Sequence, residues 1–210
     1  MADSEIRHPL FARFFDRLSK TMEREVGSRR DELLAGLSGR VLEVGAGNGM
    51  NFGHYPGSVQ EVVALEPEGY LRSKAELAAQ AASIKVSVQP GLAEKLPFPD
   101  GSFDAAVASL MLCTVGDQPR ALTELRRVLK PGGELRFMEH VRSPKPGKAR
   151  VQGFADAAGM WPWIGGGCHC ARDTVAAIRS AGFELTRVQS IDFGPSWMIT
   201  NPHVLGAAVR

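Results

Sequence analysis

The chain of 210 residues is short of three things, and each shortage excludes a class. It has no run of the roughly 18–20 apolar residues that a membrane-spanning helix needs, so a transmembrane protein is not expected. It has little net charge, +2 from 25 basic and 23 acidic residues, so nucleic acid is not expected as a partner. It has three cysteines, Cys113, Cys168 and Cys170. That odd number, with a polar opening over residues 1–9 that does not read as a signal peptide, excludes a disulfide scaffold and points to a reducing cytoplasm. Internal repeats and low-complexity tracts are also missing. What remains is a length that suits one domain with one sizeable core.

Periodicity supplies the elements. Leu10, Phe11, Phe14, Phe15, Leu18 and Met22 recur at spacings of three and four, so residues 10–37 read as helical. Gly27 and Ser28 are expected to interrupt that helix, leaving a short second one over 29–37. This stripe packs on the domain, or covers a substrate pocket or touches a membrane surface. Strands are expected over 40–45, 61–66, 85–89, 103–110 and 134–141, with helices over 70–82 and 119–129 between them. Lys130-Pro131-Gly132-Gly133 stops the last of these. This βαβ rhythm predicts an open, mostly parallel sheet with helices on both faces and ligands at the strand C-terminal edge. Residues 142–170 are too long for an ordinary connection and are expected to be partly helical near 150–160. A helix over 172–181 and strands over 183–191 and 204–209 complete the chain, the strands joined through Pro195, Trp197 and Pro202.

The densest feature is Val41-Leu42-Glu43-Val44-Gly45-Ala46-Gly47-Asn48-Gly49. A strand running into alternate glycines leaves bare backbone and N–H groups for a ligand. Dinucleotide, nucleoside and phosphate sites all use such a turn. The spacing is not G-x-G-x-x-G, and an aromatic, turn-rich stretch follows Gly49 in place of a strong helix. A pyrophosphate is therefore not the expected guest, and a dinucleotide oxidoreductase is set aside. Glu66, closing the second strand, is placed to accept hydrogen bonds from ribose hydroxyls. Together these point to a nucleoside cofactor.

Four motifs then come in order: Leu42 to Gly49, Glu66, Gly91-Leu92-Ala93-Glu94-Lys95-Leu96-Pro97-Phe98-Pro99-Asp100-Gly101-Ser102-Phe103-Asp104, and Arg127-Val128-Leu129-Lys130-Pro131-Gly132-Gly133. On these the chain resembles the class I S-adenosylmethionine-dependent methyltransferases, and in this core the quinone-modifying ones. Over residues 29–210 it is similar to the methyltransferase-like proteins that methylate alkyl thiols. The segments that carry this likeness are Ser109-Leu110-Met111-Leu112-Cys113-Thr114-Val115, Phe137-Met138-Glu139-His140-Val141, Trp163-Ile164-Gly165-Gly166-Gly167-Cys168-His169 with Thr174, and Pro202-His203-Val204-Leu205-Gly206.

The resemblance implies a Rossmann-like α/β fold, a seven-stranded sheet with its last strand antiparallel. A helical cap over residues 1–38 would precede a methyltransferase domain over 39–210 that carries an acceptor-site insertion at about 142–170. It implies that Glu43 with Gly45, Ala46 and Gly47 shapes a methionine pocket, that Asn51 reaches the carboxylate end, and that Glu66 binds the ribose. Pro67, Ala93 and Glu94 would meet the adenine, with Leu110 and Met111 lining the cofactor. The donor that the resemblance implies is S-adenosylmethionine, and the expected partner is a small, fairly apolar acceptor, with thiol sulfur favoured over the oxygen, nitrogen or carbon of an aromatic or quinone. A cofactor-binding protein without turnover is the non-enzymatic alternative. Peripheral membrane contact is left open, and the state is monomer or homodimer.

Methyl transfer from a sulfonium needs position more than catalytic groups. His140, at the end of the fifth strand, is the first candidate base, and His169 the second; His54 and Tyr55 are weaker. Phe14, Tyr55, Cys113, Trp161, Trp163 and Trp197, with Phe154, are expected to build the acceptor pocket. Cys168-His169-Cys170 is too tightly spaced for the usual C-x₂₋₄-C chelate, so no metal is expected. Arg142, Lys145, Lys148 and Arg150 form a basic run, either a solvated loop or an attraction for an anionic substrate or lipid.

Overall fold

A computed structural model describes residues 9–192 and 197–210. Pro195 lies outside the described residues. In chain order the elements are α1 (Pro9–Leu34), β1 (Gly39–Val44), β2 (Val59–Leu65), α2 (Gly69–Ala81), β3 (Val86–Gln89), β4 (Phe103–Ser109), α3 (Gln118–Val128), β5 (Leu129–His140), α4 (Pro146–Ala157), α5 (Met160–Ile164), α6 (Thr174–Ser180), β6 (Glu184–Ile191) and β7 (His203–Val209). The strands form one sheet in the order β3-β2-β1-β4-β5-β7-β6. β7 runs antiparallel to both of its neighbours, and the pairs from β3 to β5 are parallel. The expected seven-stranded Rossmann-like sheet is therefore what the chain forms.

This order has a consequence for binding. The chain leaves β1 toward β2 and β3, then returns to place β4 on the other side of β1. That reversal opens a crevice at the C-terminal ends of β1 and β4, where ligands of such sheets bind. Strand pleating then sorts the side chains. Leu42 and Val44 enter the core under α3 and α6, with Phe103, Leu122 and Phe137. Val41 faces the other layer, with Leu33, Leu34, Val62 and Val107. Glu43 shares Val41's face by the same alternation and is buried there.

The helices form where sequence and burial agree. α3 buries Ala121, Leu122, Leu125 and Val128 along one stripe, and its Asp117 cap accepts a hydrogen bond from Arg120 N at 3.0 Å. Each fully buried leucine there contributes about 1.5–3 kcal/mol relative to exposure. Two boundaries differ from the sequence reading. α1 is continuous through Gly27 and Ser28 to Leu34. The helical penalty of Gly27, about 1 kcal/mol, is outweighed by burial of Val26, Arg30, Leu33 and Leu34 around it. β5 starts at Leu129, which pairs with Phe103, before Ala105 pairs with Glu134; the residues between loop out of the ladder. Residues 142–170 hold two helices, α4 and α5. Among the described residues no helix is long and apolar enough to cross a membrane.

Candidate functional site

The crevice holds a cleft of about 200 Å³ with a smaller pocket of about 30 Å³ beside it. Gly45, Gly47, Phe15, Ser109 and Leu110 line both, so the glycine turn stands at their junction. Gly45 and Gly47 have φ of +65° and +58°. A Cβ on Gly45 would stand 2.7 Å from Met111 Cβ, so only glycine fits. Leu110 also has a positive φ, 55°, an uncommon conformation for a leucine and one that tends to mark ligand sites.

Glu66 follows directly on β2 and lines the larger cleft, where it is buried. Its Oε2 accepts from Gly47 N at 2.7 Å and its Oε1 from Glu68 N at 2.9 Å, so this carboxylate braces the glycine turn. Burial pushes it up to about 7, against the pull of those two amides. Pro67, Leu71, Gly91, Leu92, Ala93 and Glu94 continue the wall. Glu94 is committed elsewhere by its carboxylate, which accepts from Gly116 N at 3.1 Å. Met111, Thr114 and Val115 close the opposite side, and Phe11, Ala12 and Phe15 of α1 roof the cleft.

The smaller pocket is polar at its base. Arg30, Glu43, Ala46 and Asn51 line it. Arg30 Nη1 donates to Asn51 Oδ1 at 2.6 Å, and Asn51 Nδ2 donates to Glu43 Oε1 at 2.8 Å. Tyr55 donates its hydroxyl to Glu43 Oε2 at 2.7 Å from below. Burial raises Glu43 to about 7, opposed by Tyr55, Asn51 and Arg30. A buried cation and carboxylate at one end, and an apolar cleft with a carboxylate in its wall at the other, suit a nucleoside carrying a zwitterionic tail. α1 is locked over this end by Asn48 Nδ2, which donates to Asp16 Oδ1 and Ser19 Oγ, both at 2.9 Å.

The loop after β4 is held from beneath by Glu139, a residue that sequence reasoning did not single out. It is fully buried and accepts from Met111 N, Leu112 N and Cys113 N at 3.0, 2.8 and 3.1 Å. Burial raises it well above the usual carboxylate range. Arg172 adds a second clamp, donating to Leu112 O at 2.8 Å and Val115 O at 2.7 Å. Arg30 and Phe15 were likewise missed as site residues. The signal for Phe15 was present, since Phe11 and Phe15 share an i, i+4 stripe.

The expected acceptor residues are not gathered at the cleft. Phe14 is 61% exposed because its helical position falls outside the stripe of Phe11 and Phe15. Tyr55 is spent on Glu43 under the small pocket. Trp163 and Trp197 are 85% and 82% exposed, and Trp161 lines neither cavity. Cys113 is fully buried, and its thiol is pushed up to about 12 by its hydrogen bond with Cys168 and by burial. His140 Nδ1 lies 3.2 Å from Cys168 Sγ and 3.8 Å from Cys113 Sγ, so it faces two thiols and lines neither cavity. His169 is off the cleft as well; its N–H donates to Cys113 O at 2.8 Å. Neither histidine is among the described residues that line the two cavities.

Comparison with known proteins agrees with this geometry. A methyltransferase domain model matches residues 42–137. The chain is 33% identical over 207 residues to the human thiol S-methyltransferase TMT1B, spanning 92% of this chain and 83% of that one. It is 34% identical over 215 residues to the human thiol S-methyltransferase TMT1A, spanning 95% and 86%. Among solved structures, an S-adenosylmethionine-dependent methyltransferase of Thermotoga maritima has the same fold, with a TM-score of 0.67, 23% identity and coverage of 95% and 97%. With a likeness that runs the length of the chain and a nucleoside cleft at the switch point of the sheet, the chain belongs to the class I S-adenosylmethionine-dependent methyltransferases, and S-adenosylmethionine is its methyl donor.

Proposed function

We propose that this enzyme methylates the sulfur of a small, fairly apolar thiol. The observation that carries the reading is its likeness, over nearly the whole chain, to two proteins named as thiol S-methyltransferases. The cleft supports it. Beyond the glycine turn it is walled by Phe11, Phe15, Thr114 and Val115; among the described residues no histidine, lysine or arginine lines it, and its three carboxylates, Glu66, Glu68 and Glu94, each accept from a backbone amide. An amine or phenol acceptor calls for a general base. A free thiol, with a pKa near 8.5, is already ionised to a few per cent at neutral pH and needs none.

When bound, S-adenosylmethionine supplies a methyl group already activated on a sulfonium sulfur. The chain's own residues then position and enclose. Glu66 accepts the ribose hydroxyls. Glu43 and Arg30 hold the ammonium and carboxylate of the amino-acid tail, with Asn51 between them. Ala93, Leu92 and Pro67 flank the base. Leu110 sits where the two cavities join, Met111 lines the larger one, and Phe11 and Phe15 exclude water above them. The test is a screen with labelled donor against alkyl thiols, hydroquinones, phenols and amines. Turnover on thiols well above the other classes is expected. Transfer to a hydroquinone or phenol with thiols inert would overturn the thiol reading, and donor binding without turnover on any acceptor would leave a binding protein.

The ribose role predicts a pH dependence whose sign follows from the raised Glu66. Below about 7 its carboxyl takes up a proton and can no longer accept two hydroxyl hydrogen bonds. Donor affinity therefore falls as pH drops, about tenfold between pH 8 and pH 6 for one such group. In Glu66→Gln the affinity at pH 8 is expected to be about tenfold weaker, with one proton's worth of the slope removed. Calorimetric titration of both proteins at pH 6, 7 and 8 reads this. Parallel slopes for the two would rule out Glu66 as the titrating ribose ligand.

A further inference from the structure

Among the described residues, three side chains that ligate soft metals converge at one place: Cys113, His140 and Cys168, with ligand atoms all within 4.8 Å of one another. They come from three elements far apart in the chain: the loop after β4, the end of β5 and the loop after α5. Both cysteines are buried and free of disulfides. The separations of His140 Nδ1 from the two sulfurs are 3.2 and 3.8 Å. A tetrahedral ion with sulfur at about 2.3 Å and nitrogen at about 2.0–2.1 Å sets its ligand atoms about 3.5–3.8 Å apart. The two nitrogen–sulfur separations thus stand within a few tenths of an ångström of the edges of such a tetrahedron, and the sulfur–sulfur separation lies within 4.8 Å. The imidazole is held in orientation by His203, whose ring meets it edge-on at 4.5 Å between centroids.

We propose that Cys113, His140 and Cys168 form a binding site for a thiophilic divalent ion of the zinc class. The set is not the local Cys168-His169-Cys170 run. The backbone turns the other two away: Cys170 Sγ goes to Asp156 Oδ1 at 3.4 Å, and His169 joins the site only through its N–H to Cys113 O. Three protein ligands leave a fourth position for water or a small ligand. Each thiol gives up its proton to the buffer as it coordinates. The ion ties the loop carrying Met111 and Thr114 to the loop carrying Gly166, and all three of those residues line the cleft. It acts as a staple on the cleft wall, and the site does not depend on which acceptor the enzyme uses.

The full chain, reduced and stripped of metal, is titrated with Co²⁺ and then with Zn²⁺ in competition. One equivalent of Co²⁺ is expected to give a near-ultraviolet thiolate-to-cobalt charge-transfer band with tetrahedral d–d bands, and Zn²⁺ to displace it. Loss of an outer partner alone costs about 10–100-fold in metal affinity, so Cys168→Ser and Cys113→Ser should each weaken binding by at least about tenfold and shrink the charge-transfer band. Cys170→Ser should bind as wild type does. The proposal is overturned by a wild-type protein with no thiolate band at one equivalent, by a band that survives undiminished in both variants, or by native mass spectrometry showing no metal bound to the reduced protein after the titration. The wild-type titration decides the matter even if a variant fails to fold.

Discussion

Glu139→Ala is expected to destabilise the protein by about 3–5 kcal/mol, seen as a fall in melting temperature of roughly 10 °C. The reason lies in three backbone amides. Met111 N, Leu112 N and Cys113 N all point at this one buried carboxyl, and alanine leaves them with no acceptor. A buried amide without a partner costs about 1–3 kcal/mol, and the sum is reduced by the relief of no longer burying a carboxyl. Glu139→Gln keeps one carbonyl oxygen and should cost less than half as much. The same loop lines the donor cleft, so the alanine variant should also bind S-adenosylmethionine more weakly than the glutamine variant. Chemical denaturation of the three proteins checks the order. An alanine variant within about 1 kcal/mol of wild type would mean the loop holds its shape without Glu139.

That residue also shows where sequence reading stopped. In the sequence Glu139 is one polar position in a strand, and nothing local distinguishes it from a solvated one. Its role exists only because β5 lies beside β4 and brings it under a loop 26 to 28 residues earlier. Arg30 is the same case, a helix arginine that finds Asn51 across 21 residues. The parts that were legible are those whose chemistry is continuous in sequence. β1 running into the glycine turn, Glu66 at the end of β2 and the α3 stripe each carry their signal within a dozen residues. The count of seven strands and the antiparallel last strand followed from the family likeness. Aromatic residues misled because size was taken for burial: Trp163 and Trp197 lie on the surface, and Phe14 is turned outward by one helical position. The cluster of Cys113, His140 and Cys168 was not legible for a different reason. Adjacent residues were tested as a chelate, whereas the converging set is spaced by 27 and 28 residues.

Gly45→Ala is expected to weaken S-adenosylmethionine binding by at least about a hundredfold, or about 2.7 kcal/mol, while the fold is retained. Two effects add. The φ of +65° places an alanine in the left-handed region, at about 1–2 kcal/mol. The new Cβ also stands 2.7 Å from Met111 Cβ, an atom fixed by its bond to the backbone that cannot swing away as a flexible chain end does. Backbone has to move on one side or the other. Movement at the turn breaks the bond from Gly47 N to Glu66, and movement at Met111 shifts the wall held by Glu139. Either way the cleft loses the shape that the donor needs, at the point where its two cavities meet. Gly36→Ala separates strain from site geometry. Gly36 has φ +76° but nothing within 4 Å of its added Cβ, and it lies between α1 and β1, away from the cleft. It should pay the same backbone strain in stability and bind the donor as wild type does. Comparable losses of affinity in the two variants would show that general destabilisation, and not the closeness of Gly45 to Met111, controls donor binding.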